Sequence, residues 1–356
     1  MQAGGNLGGP IVKDKVHFFA TYERTQTDTN YGVNTGGIFP GIDGSIVAHP
    51  FRDNLFTGKV TADLSPKHCL QVRYGYQKNT DKYGAGVPVY TPDNLGTLQN
   101  VDHSFLVGEQ WTLPSGALNE FTFQFSKFDN SITADSNNPT LSFLNGVQSG
   151  QNVNTPQTTK QKKFQFKDDF SFGTTLGGKR HDFKAGVNYI HEPTLGGSFS
   201  SNLGGRYFFS GNTPDSGITR IEFNSGFSSF SVPVDQYSVY FQDDWQLTSK
   251  LQLNLGLRYD LWEGFDLDQS RSSLWNTLRT QTQYNEDYLL AFRNSEGLQD
   301  DDNNWGPRLG FTYDLFGNGR TAIKANYSKY HRQYDADPAA AYSPIGILSE
   351  RRNWFD

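Results

Sequence analysis

Residues 234–263 read VDQYSVYFQDDWQLTSKLQLNLGLRYDLWE. Every second residue from Tyr237 gives Tyr237, Val239, Phe241, Asp243, Trp245 and Leu247, apolar at all but one position. The residues between them are Gln236, Ser238, Tyr240, Gln242, Asp244 and Gln246. After Thr248-Ser249-Lys250 the alternation resumes, with Leu251, Leu253, Leu255, Leu257, Tyr259 and Leu261 against Gln252, Asn254, Gly256, Arg258 and Asp260. Successive side chains of a strand point to opposite faces, so the stretch predicts a hairpin with one apolar and one polar face. Each strand carries roughly 11 or 12 residues, against ~5–6 in globular sheets and ~9–11 for a tilted strand crossing a bilayer. The pattern predicts two strands of a transmembrane β-barrel, leucines toward lipid and amides toward a wet lumen.

Composition supports that class. Of 356 residues, 15% are aromatic while hydrophobic residues total only 35%. A two-layer soluble protein needs apolar residues on facing surfaces, whereas a barrel needs one apolar outside, a polar inside and polar loops. Mean hydropathy is −0.63, and no run approaches the ~20 apolar residues of a membrane helix. The net charge of −6 gives no basic field for nucleic acid. Cys69, the single cysteine, excludes an internal disulfide.

The same unit recurs along the chain. Strands are predicted at residues 14–24, 54–64, 70–80, 103–113, 118–128, 162–172, 181–191, 237–247, 251–261, 305–315 and 320–330. Residues 4–10, GGNLGGP, read as a turn, because glycine and proline permit sharp reversal. They match neither phosphate-binding glycine pattern. Connections alternate strictly: roughly 3–8 residues, then roughly 22–44, where compact domains average ~4–6. Short turns at one end and long loops at the other are the habit of outer-membrane barrels, turns periplasmic and loops extracellular. Aromatic residues at strand ends (Tyr22, Trp111, Phe128, Trp245, Trp262, Trp305) are expected at the headgroup girdles. The fold expected is all-β, a transmembrane antiparallel up-and-down β-barrel with about 11 strands of a probable ~22. An odd count, no export signal and an end inside an outer loop predict that residues 1–356 form one barrel fragment, without plug or C-terminal strands.

Candidate chemistry is sparse. His17, His49, His68, His103, His181, His191 and His331 show no metal-ligand spacing and read as barrel-lining or interface residues. Asp300, Asp301 and Asp302 could bind Ca²⁺ in an outer loop, yet lack the calcium-loop pattern and read as a solvated acidic run. Asp243 and Asp244 point to opposite faces and cannot act as a pair. On the lipid-facing register, Asp243 and Asp168 are expected near an interface or paired with a neighbouring strand. No nucleophile arrangement stands out, so no catalytic, cofactor or metal residue is assigned and the ligand-binding residues are unknown. Tyr31, Phe39, Tyr83, Tyr90, Tyr207, Phe208 and Phe209 either contact ligand or pack the loops together.

Three segments carry a resemblance: GGNLGGPIVKDKVHFFATYE, YSVYFQDDWQLTSKLQLNLGLRYD and NWGPRLGFTYDLFGNGRTAIKANYSKYH. They resemble barrel segments of TonB-dependent outer-membrane receptors, with most likeness to the Oar-like branch. The resemblance implies a 22-stranded barrel, an N-terminal plug and uptake energised by TonB, and places the chain in the cell outer membrane. Plug, TonB box and closing strand are not seen in this sequence, so the TonB contact is expected through parts outside it. The expected partners are outer-membrane lipid, the TonB complex and an unknown extracellular ligand, captured by loops at residues 30–50, 130–161, 192–235 and 264–304. Two other readings are a passive porin or surface adhesin, and a soluble β-rich carbohydrate-binding protein or enzyme. Leu255→Arg, on the lipid face, should cost ~2–4 kcal/mol, and Asn254→Arg should be tolerated.

Overall fold

A computed structural model describes residues 1–199, 204–225, 228–231, 233–264, 301–331 and 348–353. Twelve strands form one continuous antiparallel wall in chain order. They are β1 (Gln2–Val12), β2 (Val16–Gly32), β3 (Ile46–Ser65), β4 (His68–Tyr83), β5 (Gly96–Thr112), β6 (Leu118–Ala134), β7 (Gln157–Leu176), β8 (Lys179–Phe199), β9 (Val234–Gln246), β10 (Leu251–Glu263), β11 (Asp301–Asp314) and β12 (Ala322–Ser328). Each pairs with its sequence neighbours, the up-and-down pattern that alternation and connection lengths predict. The wall is a partial barrel: among the described residues, β1 and β12 each pair on one side only.

Two expectations change. The glycine-rich stretch is a strand, not a turn, so the wall has an even number of strands. Gly4 and Gly8 explain why a sequence poor in strand formers pairs there. A Cβ at Gly4 would lie 2.7 Å from the Tyr22 carbonyl oxygen, and one at Gly8 would lie 2.9 Å from the Phe19 ring. The close approach of β2 requires glycine and outweighs its entropic cost of ~0.5–1 kcal/mol per residue. Pro10 sits beside the register shift of that pairing, where a missing N–H is tolerated.

The strands are also longer than the apolar alternation alone suggests. β3 has 20 residues and β8 has 21. Polar residues at the loop end continue the ladder beyond the apolar band, which shortens the first two outer connections to residues 33–45 and 84–95. At the other end, the turn read as residues 173–180 shrinks to Gly177-Gly178, whose φ values of 57° and 75° suit the primed two-residue hairpin turn that matches strand twist.

Among the described residues, nothing covers one face of the wall. Val187, Val239, Phe241, Leu257 and Leu309 share it by register and are 47–53% exposed. The buried hydrophobic residues lie elsewhere, mainly in connections and at strand ends: Val33, Ile38, Leu95, Phe143, Val147, Phe209 and Val234 among them. Among the described residues, no dry interior between two layers gathers the strand aromatics. They form bands on the uncovered face, as in the Phe125–Phe164 and Phe123–Phe166 ring pairs, each 5.0 Å apart. Two residues expected at the girdles sit on the opposite face. Phe128 pairs with Asp102 and Gln161, and Trp262, 7% exposed, lies against Gln236. Both have the wrong parity for the apolar register.

Candidate functional site

The polar face is built from cross-strand hydrogen-bond networks. Asn79, Asn100 and Asn130 are register partners on β4, β5 and β6. The Asn130 amide donates to Asn100 at 2.7 Å and the Asn100 amide to Asn79 at 2.9 Å. On β7, Asp169 is 4% exposed. It accepts from Lys167 Nζ at 2.5 Å and from Tyr240 OH at 2.7 Å, and Lys184 Nζ lies 3.7 Å away. Gly186 lies between Asp169 and Tyr240 in the register. A Cβ there would collide with the Asp169 carboxylate and come within 2.5 Å of the Tyr240 ring. Glu192, 3% exposed, accepts from Gln161 at 2.7 Å and Gln236 at 3.2 Å. Buried carboxylates are tolerable only with such partners. Toward the loop end the polar face hollows into a concavity of 330 Å³ bordered by Asn188, Gln236, Arg258, Asp260, Trp262 and Arg308.

The outer connections do not stand apart. Thr140–Ser142, Gln148–Ser149, Arg206–Phe209, Ile218–Ser225 and Leu348–Asn353 form a second, five-stranded sheet. Its apolar centre is Ile38, Phe143, Val147 and Phe209, with Phe39, Val89, Leu141 and Tyr207 packed against it. Phe143 stacks on Phe209 at 4.6 Å and meets Phe39 edge-on at 5.7 Å. Beneath lies a polar layer. Asn94, fully buried, donates to the carbonyls of Gly150 and Gln151 at 3.1 and 3.2 Å. Thr140 donates to the Gln151 carbonyl at 2.6 Å. In the 33–45 connection, Asp43 accepts from the backbone N–H of Thr35 at 2.5 Å and of Gly37 at 2.8 Å. Hydrogen bonds from Thr35 hold its carboxyl below the usual carboxylate range.

Several of the loop aromatics have packing partners here. Phe39, Tyr207 and Phe209 pack the loops together. Phe208 lies under two guanidiniums, Arg206 at 4.5 Å and Arg220 at 3.7 Å from its ring centre, and burial lowers the pKa of Arg206. The Tyr83 hydroxyl accepts from the Asn154 amide at 3.3 Å. Phe143 and Val147 escaped the sequence reading, although Asn145-Gly146 between two short apolar runs is a hairpin signal. Asp300 and the 265–300 part of the last outer connection lie outside the described residues.

The histidines are dispersed. His49 pairs with Asp81 at 2.9 Å, His68 with Glu109 at 2.5 Å, His181 with Asp243 at 2.7 Å and His191 with Asp235 at 2.9 Å. Asp243 and Asp168, expected on the apolar register, each reach a neighbouring strand, Asp243 to His181 and Asp168 to the Asn119 amide at 2.7 Å. That is the pairing the cost of a lipid-facing charge demands.

An uncovered apolar face, a networked polar face and long connections at one end define an outer-membrane β-barrel. The chain belongs to the outer-membrane β-barrel domain family, whose model matches residues 45–346. It is 26% identical over 172 residues to the TonB-dependent transporter Oar of Myxococcus xanthus, covering 43% of this chain and 13% of that protein. Among solved structures, the outer membrane transporter YddB from Escherichia coli superposes over 98% of this chain and 40% of its own, with a TM-score of 0.63 at 16% identity. The ferripyoverdine receptor of Pseudomonas aeruginosa matches 92% of this chain and 40% of its own, with a TM-score of 0.58 at 12% identity. The chain thus spans less than half the length of each of these relatives. It is an outer-membrane barrel protein, with its short turns at the periplasmic end.

Proposed function

We propose that the chain forms the central wall and outer loops of a TonB-dependent receptor, which captures an extracellular ligand and admits it through the barrel by energised uptake. One observation carries this reading: four outer connections fold into a single cap with its own apolar centre, above a wall whose inner face is polar. A passive pore needs an open mouth. A capture device needs loops held in a fixed arrangement, so that binding does not have to order them. Kinship with the Oar transporter and a barrel shared with a ferripyoverdine receptor favour this over a porin or adhesin. Residues 1–356 act in it as one barrel unit, and the TonB contact falls on a plug supplied from outside them. The relatives are transporters and receptors, and catalysis has no part in the proposal.

The test uses the complete reading frame expressed in the outer membrane, with and without TonB, and a panel of labelled ferric siderophores and short peptides. The reading expects at least one probe to bind cells of both kinds and to enter only those with TonB. Entry that depends on probe size alone and ignores TonB would establish a passive pore instead.

A further inference from the structure

The loop end of the uncovered face carries surplus positive charge. Phe125 on β6 pairs with Phe105 on β5 and Phe164 on β7, and two residues further out the same register sets His103, Lys127 and Lys162 side by side. Beyond them Asp129 pairs with Lys160. Neither pairing shifts register over this stretch, so these side chains share the face of the phenylalanines. The alternate residues agree, because Gln161 and Lys163 reach Glu192 on the polar face, at 2.7 and 3.8 Å. Like charges directly opposite each other destabilise a strand pair, yet Lys127 and Lys162 are such partners. The carboxylate among them, Asp129, contacts Lys127. Lys160 and Lys162 are exposed, and neither has a carboxylate partner among the described residues. Beside them the Tyr74 hydroxyl lies 2.8 Å from His103 Nδ1, and the Phe125 and Phe164 rings are 5.0 Å apart.

We propose that Lys127, Lys160 and Lys162 seat a phosphate of a phosphorylated glycolipid in the outer leaflet, its acyl chains lying over the Phe125–Phe164 band. The charges match. Asp129 offsets one of the three ammoniums, and a phosphate monoester carries roughly two negative charges near neutral pH. A bound phosphate also removes the repulsion between Lys127 and Lys162, each of which becomes a charge-assisted donor. Depth matches as well. Tyrosines belong at the headgroup level of a barrel, and Tyr74 and Tyr76 both pack against His103, at 6.2 and 5.1 Å between ring centres. A lipid engages the lysines and the phenylalanines together, whereas a free anion would use the lysines alone. The cluster lies at the end opposite the short periplasmic turns, which places the lipid in the outer leaflet. The inference is independent of what the barrel transports.

Native mass spectrometry of the complete protein in detergent tests this, with added diphosphorylated lipid A or the same lipid stripped of its phosphates. The parent protein should retain the phosphorylated form preferentially. Lys162→Gln should cut that retention about fivefold, the factor one lysine near an anionic surface supplies. Lys160→Gln, at a second exposed position, should act in the same direction and carries the test if Lys162→Gln folds poorly. Lys67→Gln removes the same charge from an exposed turn at the other rim and should leave retention intact. Inorganic phosphate at the concentration of the lipid should not displace it. Equal retention of the two lipids by the parent protein would mean that the lysines only reach for water, and overturns the proposal. So does a preference unaltered by both Lys162→Gln and Lys160→Gln, an equal loss in Lys67→Gln, or displacement by inorganic phosphate, which would make the cluster a site for free anions.

Discussion

Gly186 shows how one residue holds three strands together. Its missing side chain is the space in which the Asp169 carboxylate and the Tyr240 ring meet. Gly186→Ala must displace one of them and should cost about 1–3 kcal/mol, the usual range for overpacking. Gly108→Ala is the control, because a Cβ there meets nothing closer than a Leu106 methyl at 3.7 Å. Urea unfolding from lipid vesicles separates the two, and equal effects would remove Gly186 from its role. The same method tests which face meets lipid. Leu255 is a poor probe, since Asp243 lies directly across from it and would give a new arginine its counter-ion. Leu257 faces Phe241 and Pro307 instead. Leu257→Arg should cost ~2–4 kcal/mol near mid-membrane, and Asn254→Arg, beside Asp244 on the polar face, should cost far less. The register of Leu257 was legible in the sequence from its alternation. The hazard at Leu255 was not, because strand pairing across β9 and β10 is a property of the folded sheet.

At the scale of elements, the loop cap has its own apolar centre and is expected to open as a unit apart from the wall. Phe143→Ala removes the ring that links Phe209 to Phe39, and a loss of about 3–5 kcal/mol is expected for a buried phenylalanine. That loss should open the cap and leave the wall folded. Limited proteolysis should then cut within residues 33–45 and 135–156 while the barrel strands stay protected; cleavage spreading through the strands would contradict a separable cap. Acid should act on the same unit. The Asp43 carboxyl titrates lower when folded than when unfolded, because Thr35 and Gly37 donate to it. Its contribution is therefore fully present above the ordinary carboxylate range and is lost as pH falls through the lowered folded value. Amide exchange at Thr35 and Gly37, corrected for intrinsic rates, should accelerate over that acid window, and Asp43→Asn should abolish the pH dependence. The sequence shows the eleven alternating strands because their period of two survives without tertiary context. It hides β1, where glycine is selected by the approach of β2 rather than by strand propensity. It also hides the cap, whose short strands gather from three separate segments of the chain and leave no local period.

For the whole molecule, the account depends on which way the wall's apolar side looks. A sheet of alternating residues could equally close on itself around a dry centre, and periodicity alone does not separate these cases. The connections do, because every long one leaves from the same end, and the exposed Val239, Phe241 and Leu257 agree. The polar face names no ligand, because an amide ladder such as Asn79–Asn100–Asn130 suits any polar surroundings. The most direct measurement places single nitroxide labels along β9 and β10 of a Cys69→Ser chain in bilayers and compares their accessibility to oxygen and to a water-soluble nickel chelate. Labels at positions 239, 241 and 257 should favour oxygen, and labels at 240, 242 and 254 should favour the chelate, alternating residue by residue. Labels at 239, 241 and 257 that are shielded from both reagents would mean an apolar face packed on protein, and the outer-membrane barrel account would be wrong.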